Sequence, residues 1–333
     1  MRVLVMGGTR FNGLALVYEL AKHGHEVTIL NRGETDAQLP GGVRHLYADR
    51  HDHDRLREVF ADEQFDVVQD ISAYTLDDVR SMVEIFRGQI GHYIFASSTV
   101  TYAAADILPI RERFPVDRSE RQSEYGLNKI LCEDYLVAEH RERQFPVTMV
   151  PFSMVFGPNN LIPDREQRMF MRFLQGRSVL IPGDGTTLGQ VGHVDDQARA
   201  LRMMMLNPLT FGKRYNLTGA DYYSDEGYVD VFARVVGIEA SKVFVPAEVM
   251  DEVSADTGGR TLIQRVAPYI HKWNRSVLFS IDRLRDDIGW APEYTFASSV
   301  DQTYEWFRRA ELHETREFDF TQEDALLERL AAS

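Results

Sequence analysis

The chain has 333 residues, 44% hydrophobic and 26% charged, enough for one large α/β domain or for such a domain with a smaller lobe, and its composition excludes disorder except at the ends. A formal net charge of −14 works against non-specific binding to phosphate backbones, which needs Lys and Arg to neutralise phosphates. The single Cys132 cannot form an intramolecular disulfide, Met1 to Met6 runs straight into Gly7 and Gly8 rather than a signal-peptide core, and no apolar run approaches the ~20 residues of a membrane span, so a soluble, cytoplasmic protein with its native N-terminus is expected.

The first half alternates short apolar runs with amphipathic stretches. Strands are predicted at Arg2 to Met6, Glu26 to Leu30, Val43 to Ala48, Phe65 to Asp70, His92 to Ala96 and Pro146 to Val150. Helices are predicted at Gly13 to His23, Asp54 to Ala61, Leu76 to Arg87 and Tyr125 to about Arg143. With right-handed crossovers this is a doubly wound parallel sheet of Rossmann type, expected over residues 1–157 with later segments returning to it. Beyond Gly157, prolines and glycines punctuate shorter segments, with helices at Arg165 to Leu174, Asp195 to Leu206 and Asp225 to Val236. A smaller mixed α/β substrate lobe is expected over 158–310, followed by an acidic helical tail, 311–333, that carries no assigned chemistry.

Gly7-Gly8-Thr9-Arg10-Phe11-Asn12-Gly13 follows the first strand and opens the first helix. Glycines there permit a tight turn and a close backbone approach to a pyrophosphate seated on the helix amides, which points to a dinucleotide. The second strand is followed by Asn31-Arg32 rather than by an acidic residue. An acid would accept bonds from the adenosine ribose of NAD, whereas an arginine can pair with the 2′-phosphate of NADP, so NADP is favoured, with Arg10 as a second phosphate partner. Asp49 and Arg50 are expected on the adenine side, and Ser72 and Ala73 beside the cofactor.

Tyr125-Gly126-Leu127-Asn128-Lys129 places a phenol and an ammonium at i and i+4, on one helical face. A neighbouring positive charge favours the phenolate and so suits Tyr125 to proton transfer near neutrality. Ser97-Ser98-Thr99 stands at the carboxyl end of the fifth strand, the edge at which open α/β sheets bind ligands. A hydroxyl there can orient a reacting oxygen toward Tyr125.

The glycine turn, Ser97 to Tyr102, Tyr125 to Lys129, Val155-Phe156-Gly157-Pro158, His193-Val194-Asp195-Asp196 and Ile288-Gly289-Trp290-Ala291-Pro292 occur in an order that resembles the extended short-chain dehydrogenase/reductases, the NAD-dependent epimerase/dehydratase family. The spelling of the turn, with Arg10 where a glycine is usual, looks most like bacterial relatives of the chloroplast stem-loop-binding proteins. The resemblance implies Tyr125 as general acid/base, Lys129 as its partner and ribose ligand, and Ser98 as the orienting hydroxyl. It implies a homodimer through the helices Leu76 to Arg87 and Tyr125 to Arg143, and a sugar or sugar-nucleotide substrate lined by Thr99, Gln190, His193 and His271. No metal, membrane or nucleic-acid partner is expected.

Three departures concern the substrate. Gly189-Gln190 stands where many members have a diphosphate-gripping arginine, Pro151-Phe152 replaces an Arg-Pro, and a later arginine has no clear match near His271, Lys272 and Arg275. The expectation is therefore divided between a nucleotide-diphosphate sugar and another sugar derivative or small polyol. Two other functions stay open: an NADP-dependent reductase of a small carbonyl substrate, and a cofactor-binding RNA-associated protein.

Overall fold

In the computed structural model, which describes residues 1–160, 162, 164–255 and 273–332, β1 (Arg2–Met6) shows how the first unit is built. Successive strand residues face opposite ways, so Val3 and Val5 enter one hydrophobic cluster while Leu4 and Met6 enter another. A strand apolar on both faces must be covered on both, and it lies inside a six-stranded sheet of order β3-β2-β1-β4-β5-β6. The others are β2 (Glu26–Asn31), β3 (Arg44–Tyr47), β4 (Val67–Asp70), β5 (His92–Ser98) and β6 (Val147–Phe152), and every neighbouring pair is parallel.

The helices supply the two coverings. In α1 (Phe11–Lys22) the buried positions Gly13, Leu16, Val17 and Leu20 follow the 3.6-residue period, and the apolar ones share a cluster with Ala198, Leu201 and Met204 of α6 (Val194–Met204). On the opposite face α2 (His53–Phe60), α3 (Leu76–Phe86) and α4 (Glu124–Arg143) contribute Leu56, Val79, Met82, Val83, Phe86, Cys132 and Leu136. This is the doubly wound Rossmann arrangement expected from the alternation of periods. The sheet registers Met6 with both Leu30 and Asp70, and Asp70 with Phe95, so the carboxyl ends of β1, β2, β4 and β5 form one edge.

The first unit consists of Met1–Val155, Gly192–Thr218 and Phe279–Glu293, and the second of Phe156–Val191, Gly219–Leu278 and Tyr294–Ser333. Two sequence motifs in the returning segments turn out to be packing partners. Trp290 is fully buried and donates its indole N–H to Asp196 O (3.2 Å), while the Asp196 carboxylate accepts from the Glu293 amide (2.8 Å) and pairs with Arg199 (2.9 Å). Gly289 ends the helix Asp282–Ile288 just before Trp290 at φ +69°, a left-handed geometry suited to glycine at a helix end.

The second unit has a parallel strand pair, Val179–Pro182 with Lys242–Val245, and helices that include α5 (Glu166–Leu174) and α7 (Asp225–Val236). Its core is aromatic, with Phe170 beside Phe232 and Phe307. The acidic C-terminal stretch carries the helices Leu312–Thr315 and Thr321–Ala331. The helix Thr321–Ala331 belongs to this unit, where Glu323 is buried and pairs with Arg168 (2.6 Å), and the guanidinium groups of Arg168, Arg172 and Arg177 lie over the Phe320 ring at 4.4, 5.2 and 4.8 Å. Removing one member of a buried pair strands the other, so Glu323→Ala is expected to destabilise by about 3 kcal/mol. Thermal unfolding followed by circular dichroism measures this, and an unchanged midpoint would return the tail to the periphery.

Candidate active site

The glycine turn leaves β1 at φ +106° for Gly7 and +91° for Gly8. A Cβ on Gly8 would meet Ile29 Cγ2 at 2.7 Å, and one on Gly13 would meet Gly8 N at 2.7 Å, so strand and helix approach more closely than side chains would allow. Phe11 opens α1 at φ +34°, a strained value for a side-chain-bearing residue. While α2, α3 and α4 are capped by Asp52, Thr75 and Ser123, α1 has no side-chain cap and no acid in its first turn. Uncapped amides behind a glycine cradle fit a pyrophosphate.

At the end of β2, Asn31 donates its amide toward Gly7 O (3.4 Å) and Thr9 Oγ1 (3.3 Å). Its Oδ1 accepts from the Gly33 amide (2.8 Å) and lies 2.9 Å from His45 Nε2. The side chain is thus held between turn and sheet. Arg10 Nε donates to Thr35 Oγ1 (2.9 Å) and Arg32 pairs with Glu34 (2.8 Å), both arginines being exposed. The two cations sit on the segments that leave β1 and β2.

Asp49 stays near the surface, accepting from the His51 amide at 2.9 Å; that bond, more than any other influence, holds its carboxyl below the usual range. Arg50, expected beside the adenine, faces inward instead. Its side chain is 11% exposed and pairs with Asp70 (3.0 Å) and Asp78 (3.0 Å). These partners are carboxylates at the end of β4 and in the first turn of α3, and they hold the guanidinium inward. Ser72 accepts from Arg50 (2.9 Å) and lies beside the glycine turn, 3.6 Å from where a Gly7 Cβ would be.

Ser123 starts α4 by accepting from the Gly126 amide (3.0 Å), and the helix then carries Tyr125 and Lys129 on one face. Lys129 is 3% exposed, and its ammonium donates to Ala73 O (2.6 Å), just past β4, and to Ala96 O (2.6 Å) in β5. Burial lowers its pKa to about 8, outweighing the nearby negative groups that would raise it. Tyr125 is 41% exposed, with its ring centroid 5.7 Å from the Lys129 Nζ. The arrangement brings a partly exposed phenol to a buried cation of depressed pKa.

Ser98 ends β5 two residues past Ala96, its Oγ accepting from the Val100 amide (3.3 Å). Thr99 follows and is buried. His193, also buried, caps α6 by accepting at Nδ1 from the Asp195 amide (3.2 Å). In the second unit Gln190 is buried and donates to Gly219 O (2.7 Å). His271 lies outside the described residues.

Several groups around Lys129 escaped sequence reasoning. Tyr74 places its ring 5.2 Å from Nζ and 5.9 Å from the Tyr125 ring, and Phe95 lies 4.8 Å from Nζ. Glu133 is one further step of four along the same face of α4, a signal the spacing rule could have caught. It is buried, which raises its pKa, and meets Arg214 Nε at 3.1 Å. Arg214 in turn donates to Thr101 (2.9 Å) and covers the Tyr102 ring (4.6 Å), pinning the segment after Ser98.

A sequence profile described as the NAD dependent epimerase/dehydratase family matches residues 3–218. The chain belongs to this family. The chloroplast stem-loop binding protein of 41 kDa b from Arabidopsis thaliana is 28% identical over 98% of the chain and 84% of its own length. Among solved structures, the UDP-glucose 4-epimerase of Thermotoga maritima with UDP-glucose superposes with a TM-score of 0.76 at 19% identity, covering 93% of this chain and 100% of that one. The dTDP-glucose 4,6-dehydratase of Bacillus anthracis in complex with NAD gives 0.75 at 17% identity, covering 94% and 98%. These likenesses agree in the fold, and no helix among the described residues is long and apolar enough to cross a membrane.

The state of Lys129 is directly measurable. Its ammonium is expected to lose its proton with a midpoint near pH 8, so that it is charged below that pH and neutral above it. In an NMR titration of lysine-labelled protein, one resonance should show this midpoint and be missing from Lys129→Arg. If every lysine titrates in the ordinary range, above about pH 10, the ammonium is not buried as described.

Proposed function

We propose that this chain is an NAD(P)-dependent epimerase or dehydratase acting on a secondary hydroxyl of a sugar or sugar nucleotide. The observation that carries this reading is the Lys129 ammonium, buried on two carbonyls and set beside Tyr125. Family membership and the relatives named for UDP-glucose and dTDP-glucose support it.

A bound nicotinamide would supply the hydride chemistry at the sugar carbon; the glycine turn, Asn31, the Ser72-Ala73 segment and Lys129 would hold the cofactor. The chain's own residues do the rest. Tyr125 takes the proton from the substrate hydroxyl and returns it, Lys129 stabilises the phenolate by its charge, and Ser98 orients the reacting oxygen by a hydrogen bond. Glu133 and Arg214 keep the Ser98 to Tyr102 segment in place.

NADP is the preferred cofactor in this reading. Asn31 has no carboxylate for the ribose hydroxyls and its oxygen is already engaged, whereas Arg10 and Arg32 offer two exposed cations. The Arg32–Glu34 pair is exposed and weak, so it can yield to a phosphate. Gln190 stands at the sequence position where the family often has an anion-gripping arginine, and its amide donates to Gly219 O, which moves the reading toward a sugar held by fewer charges than a diphosphate requires. The homodimer is proposed through α3 and α4, where Leu127 and Leu131 stand exposed on α4. The stem-loop binding in the Arabidopsis relative's name is not carried over, because the net charge of −14 opposes it.

Tyr125→Phe removes the proton-transfer group while keeping the ring. With UDP-glucose, dTDP-glucose and the free sugars as substrates, it is expected to lose about a hundredfold or more of the parent's turnover and to keep its cofactor affinity. Parental turnover in the variant would sink the mechanism. Arg10→Ala with Arg32→Ala should weaken NADPH binding about tenfold and leave NADH nearly unchanged in a fluorescence titration. An equal loss for both cofactors would remove the 2′-phosphate assignment.

A further inference from the structure

Arg50 is the cation of a buried cluster that the proton-transfer chemistry above does not use. Asp70 is fully buried at the end of β4, and Asp78 is buried in the first turn of α3. Arg50 lies between them with its fork on Asp70, Nη1 at 3.0 Å from Oδ1 and Nη2 at 3.1 Å from Oδ2, and with Nε at 3.0 Å from Asp78 Oδ1. Tyr93 donates a further bond to Asp70 (2.6 Å). One guanidinium thus bridges two carboxylates away from water.

Both carboxylates hold the same short segment. Asp70 accepts from the Ser72 amide (3.3 Å), and Asp78 Oδ2 accepts from the amides of Tyr74 (2.8 Å) and Thr75 (2.9 Å). Arg50 itself reaches the Ser72 hydroxyl at 2.9 Å and the Asp78 carbonyl at 3.2 Å. Between these tethers lies Ala73, whose carbonyl receives the Lys129 ammonium, and Tyr74, whose ring stands beside Tyr125. Three amides of the segment are therefore held by the two carboxylates that Arg50 clamps.

We infer that Arg50 is a positioning residue for the proton-transfer site: by clamping Asp70 and Asp78 it fixes residues 71–75, the segment on which the Lys129 ammonium and the cofactor cradle are seated. The inference rests on the proposed role of Lys129 for its catalytic meaning, and on the contacts above for its geometry. A lysine at position 50 cannot reproduce the clamp, since one ammonium has no planar fork to span two carboxylates and a hydroxyl. It keeps the positive charge, however, so the buried carboxylates are not left uncompensated.

The test compares Arg50→Lys with the parent by amide hydrogen exchange and by fluorescence titration with NADPH and NADH. Expected are exchange at least about tenfold faster confined to residues 71–75, unchanged protection of α1 and β6, and cofactor affinity weakened about tenfold. Parental exchange in that segment, or parental affinity for both cofactors, in folded Arg50→Lys would overturn the inference. If Arg50→Lys does not fold, Asp78→Asn takes its place, because it weakens the clamp while leaving the Arg50–Asp70 pair. The same two measurements are made on it, and parental exchange or parental affinity overturns the inference there too. Lys129→Met separates the two claims: parental cofactor affinity in that variant defeats the reading of Lys129 as ribose ligand, while the exchange result in Arg50→Lys still decides the role of Arg50.

Discussion

The ammonium of Lys129 is held by carbonyls from two different strand ends, Ala73 after β4 and Ala96 in β5, and much of the first unit is what makes that possible. Parallel strands bring their carboxyl ends to one edge, so the register that pairs Asp70 with Phe95 also sets these carbonyls within reach of a single side chain. The lysine is then delivered by α4 from the face of the sheet that Cys132 and Leu136 cover. Burial holds the pKa of the ammonium low, and the two carbonyls fix its position. A third N–H direction remains in an ammonium so bound, which is the chemical opening through which it can serve a ribose or a phenolate.

The same edge carries an unusual amount of charge below its surface. Arg50, Asp70 and Asp78 form one buried group, and Glu133 with Arg214 forms another, each under a different segment of the site. Burial alone would raise the Asp78 pKa, yet Arg50 and the backbone amides of Thr75 and Tyr74 outweigh it and hold the carboxyl below its usual range. Arg50 shows the converse balance, in which burial lowers its pKa and the charge and hydrogen bonds of Asp70, together with the charge of Asp78, more than restore it. Such networks contribute little net stability over apolar packing, but they impose one geometry because any other arrangement leaves a charge unpaired.

Elements with strong local periodicity were legible in the sequence. The two-sided apolar strands, the i, i+3, i+4, i+7 face of α1 and the Tyr125/Lys129 spacing each depend on neighbours a few residues away. What escaped depends on distant partners. Arg50 reads as an adenine-side contact because Asp70 and Asp78 are 20 and 28 positions downstream, and nothing local says that the three are buried together. Tyr74 gains its place only when the segment after β4 meets Lys129 of α4, and the tail helix is tied in only when Glu323 meets Arg168, 155 positions away. The His193 and Trp290 motifs marked the family, and packing explains them: one caps α6 and the other lies against it.

If the surface beside Lys129 and Tyr125 brings a sugar hydroxyl carbon to a nicotinamide, hydride must pass between the two. A single-turnover experiment shows this most directly: the protein, loaded with oxidised NADP or NAD, is mixed with UDP-glucose, dTDP-glucose or the free sugars, and the near-ultraviolet band of reduced nicotinamide is followed. That band is expected to appear with at least one of these substrates. Its absence with all of them, in protein shown to hold the oxidised cofactor, would contradict hydride exchange at this site.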